Sequence, residues 1–280
     1  ALVFIFMIGI AFFSKSIPSI SVSTTTASSI QDSTFPMVYL QVGESFINPL
    51  HGYSSELNSS TVRESITPLD TGKTFAVNIA ENDSKIKKLS YELRDIANNK
   101  SIETGDITAF DKNKKYKVAT VHLKEAMDTS TEYGFCMTLI TNYSKKIHFY
   151  TRIKYYDNDF FLSKKLDFVA KFHAATFDQG RSLDLSQYLE SGTNDDSSYE
   201  SVDIHSSRKL ITWGKLKPKR LTDVVPTVKE LNIETAAISQ TYFVSATTAS
   251  GSETYQVKEF YRVRYSGAVS YTHLRAHETS

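Results

Sequence analysis

The sequence predicts a mainly β protein: an immunoglobulin-like antiparallel β-sandwich followed by an α+β domain, after an N-terminal transmembrane segment. Three observations carry this. Tyr and Phe are abundant, with 16 and 17 copies, and cluster with Val, Ile and Thr in short alternating runs, which is strand composition. A single stretch, Leu162 to Thr176, changes to helical spacing. The first thirteen residues, Ala1 to Phe13, are almost wholly apolar and lead into a Ser/Thr-rich tract.

The apolar segment is shorter than the roughly 20 residues that cross a bilayer, and it begins without Met or a basic flank. Residues 1–17 are therefore expected to be a membrane anchor, or a signal, truncated at its N-terminus. Residues 18–34, rich in Ser, Thr, Ala and Ile, cannot bury a core and predict a flexible stalk.

Residues 35–156 are expected to form the sandwich. Strands are predicted at Met37 to Val42, Thr74 to Ile79, Ile86 to Arg94, Tyr116 to Leu123, Tyr133 to Ile140 and Ile147 to Tyr156. Turn chemistry such as Glu81-Asn82-Asp83 and Asp111-Lys112-Asn113 separates them. The stretch from Gly43 to Gly72 is expected to be loops with one short helix. No Cys-Trp-Cys spacing marks an antibody-type domain, so the likeness to that fold is architectural.

Residues 157–268 are expected to form the α+β domain, cut short at its end. Its helix spans Leu162 to Thr176, with Ser163 or Asp159 as candidate N-cap and a short helix after it at Leu185 to Leu189. Ser191 to Ser198 reads as a mobile loop. Strands follow at Lys209 to Trp213, Val225 to Leu231, Thr235 to Ala246 and Glu253 to Arg264, with a hairpin at Thr248-Ala-Ser-Gly-Ser252. Residues 269–280, Val-Ser-Tyr-Thr-His-Leu-Arg-Ala-His-Glu-Thr-Ser, resemble a translated sequencing-adaptor tail, which removes His273 and His277 from the candidate ligands.

A formal charge of +1 supplies no global field that would draw nucleic acid, and the single Cys136 forms no intrachain disulfide. Gly72-Lys73-Thr74 ends like a phosphate loop, yet Thr67 stands where the loop needs Gly and a strand follows where a helix should. Asp157-Asn158-Asp159 and Asp195-Asp196 offer oxygen ligands without calcium-loop spacing, so they read as turns and caps. His173 and Asp178 lie too far round the helix to share one side fully, and His173 reads as a hydrogen-bonded core residue. His122 and His148 read as a solvated sheet face, and Cys136 as a buried small apolar residue. No catalytic residue, metal or cofactor is assigned.

Two binding regions remain. Arg208, Lys209, Lys215, Lys217, Lys219 and Arg220 place six basic residues in thirteen around Trp213, a charge density suited to an anionic polymer or a lipid surface, or to guarding a sheet edge. His51, Tyr53 and Arg63 lie in the longest non-strand region, where recognition residues concentrate.

The anchor, together with Leu50-His-Gly-Tyr53, Ser65-Ile-Thr-Pro-Leu69 and Glu259-Phe-Tyr-Arg-Val-Arg264, resembles an uncharacterised group of single-pass, membrane-anchored extracytoplasmic proteins of Gram-positive gut bacteria. That resemblance implies a location and no activity. The expected role is non-enzymatic binding or scaffolding in the cell envelope, toward a partner protein or an anionic wall polymer and not nucleic acid. The alternatives are the accessory part of a larger wall or glycan hydrolase and an extracytoplasmic regulator of a membrane sensor kinase.

Overall fold

The computed structural model describes residues 2–11, 35–58, 62–113, 115–158, 160–190, 199, 201–248 and 251–265. The expected stalk, the loop at Ser191 to Ser198, Asp159 and the adaptor-like tail lie outside the described residues. The chain is mainly β, in three sheets whose pairings are antiparallel but for one.

In chain order the strands begin with β1 (Leu2–Ala11), β2 (Met37–Val42), β3 (Ser45–Leu50), β4 (Ile66–Leu69), β5 (Thr74–Ala80) and β6 (Ile86–Asp95). Next come β7 (Ser101–Ile107), β8 (Asp111–Asn113), β9 (Tyr116–His122), β10 (Glu132–Thr141) and β11 (Lys146–Tyr155). After these lie helix α1 (Leu162–Phe177), β12 (Ser201–Val202), helix α2 (Arg208–Ile211), β13 (Lys219–Arg220), β14 (Thr227–Leu231), β15 (Thr235–Thr248) and β16 (Gly251–Tyr265).

One five-stranded sheet runs β4-β11-β10-β6-β7 and a second β3-β2-β5-β9-β8. Alternation decides which face of each strand is buried: Val38, Leu40 and Val42 point inward, as do Phe75, Val77 and Ile79, and Phe135, Met137 and Leu139. The edge-to-face pair Phe75 and Phe135, 5.3 Å between centroids, joins the second sheet to the first. This packing is that of a β-sandwich.

The region from Gly43 to Gly72 corrects the expectation of loops and a short helix, because it contributes the edge strands β3 and β4. Both carry proline, Pro49 and Pro68, which sequence reasoning reads as breaking a strand but which an edge tolerates. The polar strands β7 and β8 are edges as well and lack an apolar face to announce them. In β7, Gly105 lets the Tyr91 ring lie across the backbone, since a Cβ there would meet it at 2.4 Å.

The third sheet runs β12-β1-β16-β15-β13, with β14 also on β15. Strand β1 pairs with β16 along its length, from Leu2 opposite Tyr265 to Ala11 opposite Gln256. This arrangement does not show the membrane-spanning form expected of residues 1–17; no helix among the described residues is long and apolar enough to cross a membrane.

Helix α1 begins at Phe161, whose φ of 51° puts it in the left-handed region with no side-chain cap, so Ser163 is not the N-cap. Buried Lys165 fixes this end instead: its Nζ donates to the carbonyls of Phe160 (2.9 Å), Asn232 (2.7 Å) and Ile233 (2.8 Å). Val169, Phe172, His173 and Thr176 share the buried stripe of α1. The strand expected at Lys209 to Trp213 is instead α2, capped by Ser207 Oγ accepting from Leu210 N at 3.2 Å.

The sandwich and the third sheet are joined through Asn48. Its φ of 51° sits beside a bulge in β3, and its buried carboxamide donates to Ile66 O (2.8 Å) and Thr67 Oγ1 (3.2 Å) while accepting from Val228 N (2.9 Å). Tyr156 Oη donates to Leu231 O and Lys229 Nζ to Glu64 O across the same junction.

Candidate functional site

The basic stretch is divided by the fold into residues that hold structure and residues that face solvent. Trp213 is buried, its ring 5.6 Å from Phe177 and 6.3 Å from Tyr199, so it is a core anchor and not a surface contact. Arg208 NH2 donates to Gln179 O at 3.0 Å, closing the chain that follows α1. Arg220 NH1 lies 3.3 Å from His173 Nε2. Lys209, Lys215, Lys217 and Lys219 are exposed and form no ion pair among the described residues. Between them the backbone turns through three left-handed residues, Trp213, Gly214 and Lys217, with φ of 66°, 52° and 41°. Such conformations persist only where packing enforces them, and here buried Trp213 does so.

His51 and Tyr53 lie elsewhere, on a segment that bridges the free edge of β11 at Tyr53 and crosses to the Tyr150 side chain at Leu57, and Arg63 precedes β4. Tyr53 and His148 exchange backbone hydrogen bonds of 2.8 Å in both directions, and Leu57 N donates to Tyr150 Oη at 2.7 Å. Gly52 permits the close crossing, because a Cβ would meet Ile147 at 2.6 Å. His51 and Arg63 are exposed, whereas Tyr53 is half-buried and donates from its hydroxyl to Glu64 Oε1 at 2.8 Å. The crossing also buries His148, which corrects its reading as part of a solvated face; its Nδ1 is 3.1 Å from Thr138 Oγ1. His122 does lie exposed, 2.7 Å from Thr74 Oγ1.

Beside this crossing a groove of about 560 Å³ runs over the outer face of the first sheet, lined by Glu56, Glu92, Asp106, Cys136, Lys146 and His148 among others. Cys136 is half-buried at its floor, not fully enclosed. Burial pushes its thiol up to about 11 and raises the neighbouring Tyr150 phenol to about 12. A thiol so protonated at neutral pH is a poor nucleophile.

Sequence reasoning missed the most concentrated polar cluster, which lies between α1 and the third sheet. Glu259, fully buried, accepts from Tyr242 Oη at Oε1 (2.7 Å) and from Tyr261 Oη (2.6 Å) and His173 Nδ1 (2.8 Å) at Oε2. Arg220 has only donors to offer His173 Nε2, so that nitrogen is the acceptor and the proton sits on Nδ1, facing the carboxylate. Burial, and then the carboxylate, push the Tyr242 and Tyr261 phenols well above their ordinary value, so both hydroxyls stay protonated and donate. Asp178 does not join His173: it accepts from Arg181 N and Ser182 N in the turn after α1. The signal was present in β16, where Val257, Glu259, Tyr261 and Val263 alternate on one face and put a carboxylate among inward positions. No group of His, Cys, Asp and Glu among the described residues could hold a metal ion.

No family model matches the chain, and no curated protein matches it.

Proposed function

We propose that this chain is the extracytoplasmic body of a membrane-anchored cell-envelope protein whose role is binding or scaffolding, with an anionic wall polymer as its ligand at Lys209, Lys215, Lys217 and Lys219. The supporting observation is the exposure of these four lysines, free of ion pairs among the described residues, from α2 through the turn after buried Trp213 to β13. A fixed row of ammonium groups meets a polyanion without the cost of ordering a loop. In this reading the sandwich is immunoglobulin-like and serves as the rigid carrier. The anchored state draws residues 2–11 off β16 and into the bilayer, since one segment cannot occupy both places.

Changing Lys209, Lys215, Lys217 and Lys219 together to Ser tests the ligand. Retention on purified teichoic-acid-bearing cell walls at low salt should fall by roughly tenfold, and wild-type retention should decline as salt rises. Equal retention of variant and wild type would remove the basic turn from the ligand site.

A further inference from the structure

The outer face of the second sheet carries a different kind of surface. Tyr39 on β2, Phe46 on β3 and Tyr116 on β9 form a cluster of three rings with centroids 5.5 to 5.6 Å apart, on the face turned away from the sandwich core. Between the β2–β3 turn and the end of β8 the cluster opens into a cleft of about 330 Å³, at the small end of the range for ligand sites. Phe46 and Tyr116 line it, with Gln41, Asn113, Glu44 and Lys115 around them.

A second observation lies under the rings. Asn78 on β5 stands directly opposite Tyr39 in register, on the same outer face, and is 1% exposed. Neither its Nδ2 nor its Oδ1 has a hydrogen-bond partner among the described residues. A buried carboxamide with both ends unmatched costs stability, and such groups call for an explanation in the form of a missing partner.

We propose that the Phe46–Tyr116 cleft binds a pyranose ring of a neutral glycan. The chemistry of the lining selects this class. Ring faces match the apolar C–H face of a sugar, whereas the amides of Gln41 and Asn113 offer donors and acceptors to its hydroxyl edge. Glu44 and Lys115 balance in charge, and Lys115 already lies 5.4 Å from the Tyr116 centroid and 3.6 Å from Asp223, so the cleft favours neither an anion nor a second cation. The same salt bridge ties the cleft rim to the chain leading into β14, which places it at the junction of the two units, a common position for ligand sites. Asn78, covered beside Tyr39, does not line the cleft and takes no part in the contact. This site is separate from the basic turn, and neither reading depends on the other.

The test is calorimetric titration of the full chain with two soluble probes, the β-1,4-linked tetramers of N-acetylglucosamine and of glucose. At least one should bind, and Phe46→Ala and Gln41→Ala should each weaken that binding by roughly tenfold. Asn78→Leu separates binding from structure. Removal of two unmatched polar atoms outside the cleft should leave the denaturation midpoint unchanged or higher and the affinity as in wild type. The four-lysine variant should bind the tetramer as wild type does, whatever it does on cell walls. Failure of both tetramers to bind, or binding untouched by Phe46→Ala and Gln41→Ala, would overturn the site and leave the rings as sheet-stabilising cross-strand pairs.

Discussion

Replacing Tyr242 by Phe removes one oxygen and leaves the ring packing intact, so its cost isolates a single hydrogen bond to Glu259. The carboxylate is fully buried, and Tyr242 is the hydrogen-bond partner of Oε1, whereas Tyr261 and His173 share Oε2. Losing a charge-assisted bond to a buried group costs about 1.5–3 kcal/mol. The double change Tyr242→Phe with Tyr261→Phe leaves the charge to His173 alone and should cost more than the sum, because each single variant retains a phenol that the other lost. Trp213, the one tryptophan of the chain, lies against Phe177, whose ring is 6.0 Å from Tyr242, so its fluorescence in a urea titration reads this unit. Alkali supplies a second reading. The folded Tyr242 phenol is raised above its ordinary 10.0, so its contribution is fully present below that pH and is lost as pH climbs above it. Wild type should therefore lose more stability above pH 10 than Tyr242→Phe does. A change in unfolding free energy below about 0.5 kcal/mol for the single variant would refute the three-donor arrangement at Glu259.

Two further outcomes follow from particular contacts. Asn48→Gly keeps the left-handed backbone but removes three buried hydrogen bonds, two of them within the sandwich and one to Val228 N; it should lower stability by about 2–4 kcal/mol, with Asn48→Ala lower still by roughly 1 kcal/mol from φ strain. If urea titrations rank Ala above Gly, the strain argument fails. Cys136 should resist alkylation by iodoacetamide at pH 8 and react faster as pH approaches 11, because the folded thiol holds its proton up to about that pH. Rapid labelling at pH 8, matched to a free thiol, would contradict its half-buried, protonated state.

How much was legible varies by element, for a common reason. Central strands such as β5 and β10 bury one face against the opposite sheet, so period-two alternation writes them into the sequence almost to the residue. The edge strands β7 and β8 bury little and are polar, and β3 and β4 carry Pro49 and Pro68, so nothing local separates the four from loops. Helix α1 was plain from its apolar spacing, but its start was not, because Lys165 is satisfied by carbonyls more than sixty residues away at Asn232 and Ile233.

Composition and periodicity by themselves determined that the chain is mainly β with one principal helix, because burying one face of a strand or helix imposes a repeat that short-range order records. Only the tertiary structure decided which residues of the basic stretch are free. Trp213 and Arg220 belong to the fold, the four lysines to solvent, and Asn78 and Glu259 to the interior. Those assignments depend on partners brought together from distant strands, and the distance along the chain carries no trace of them.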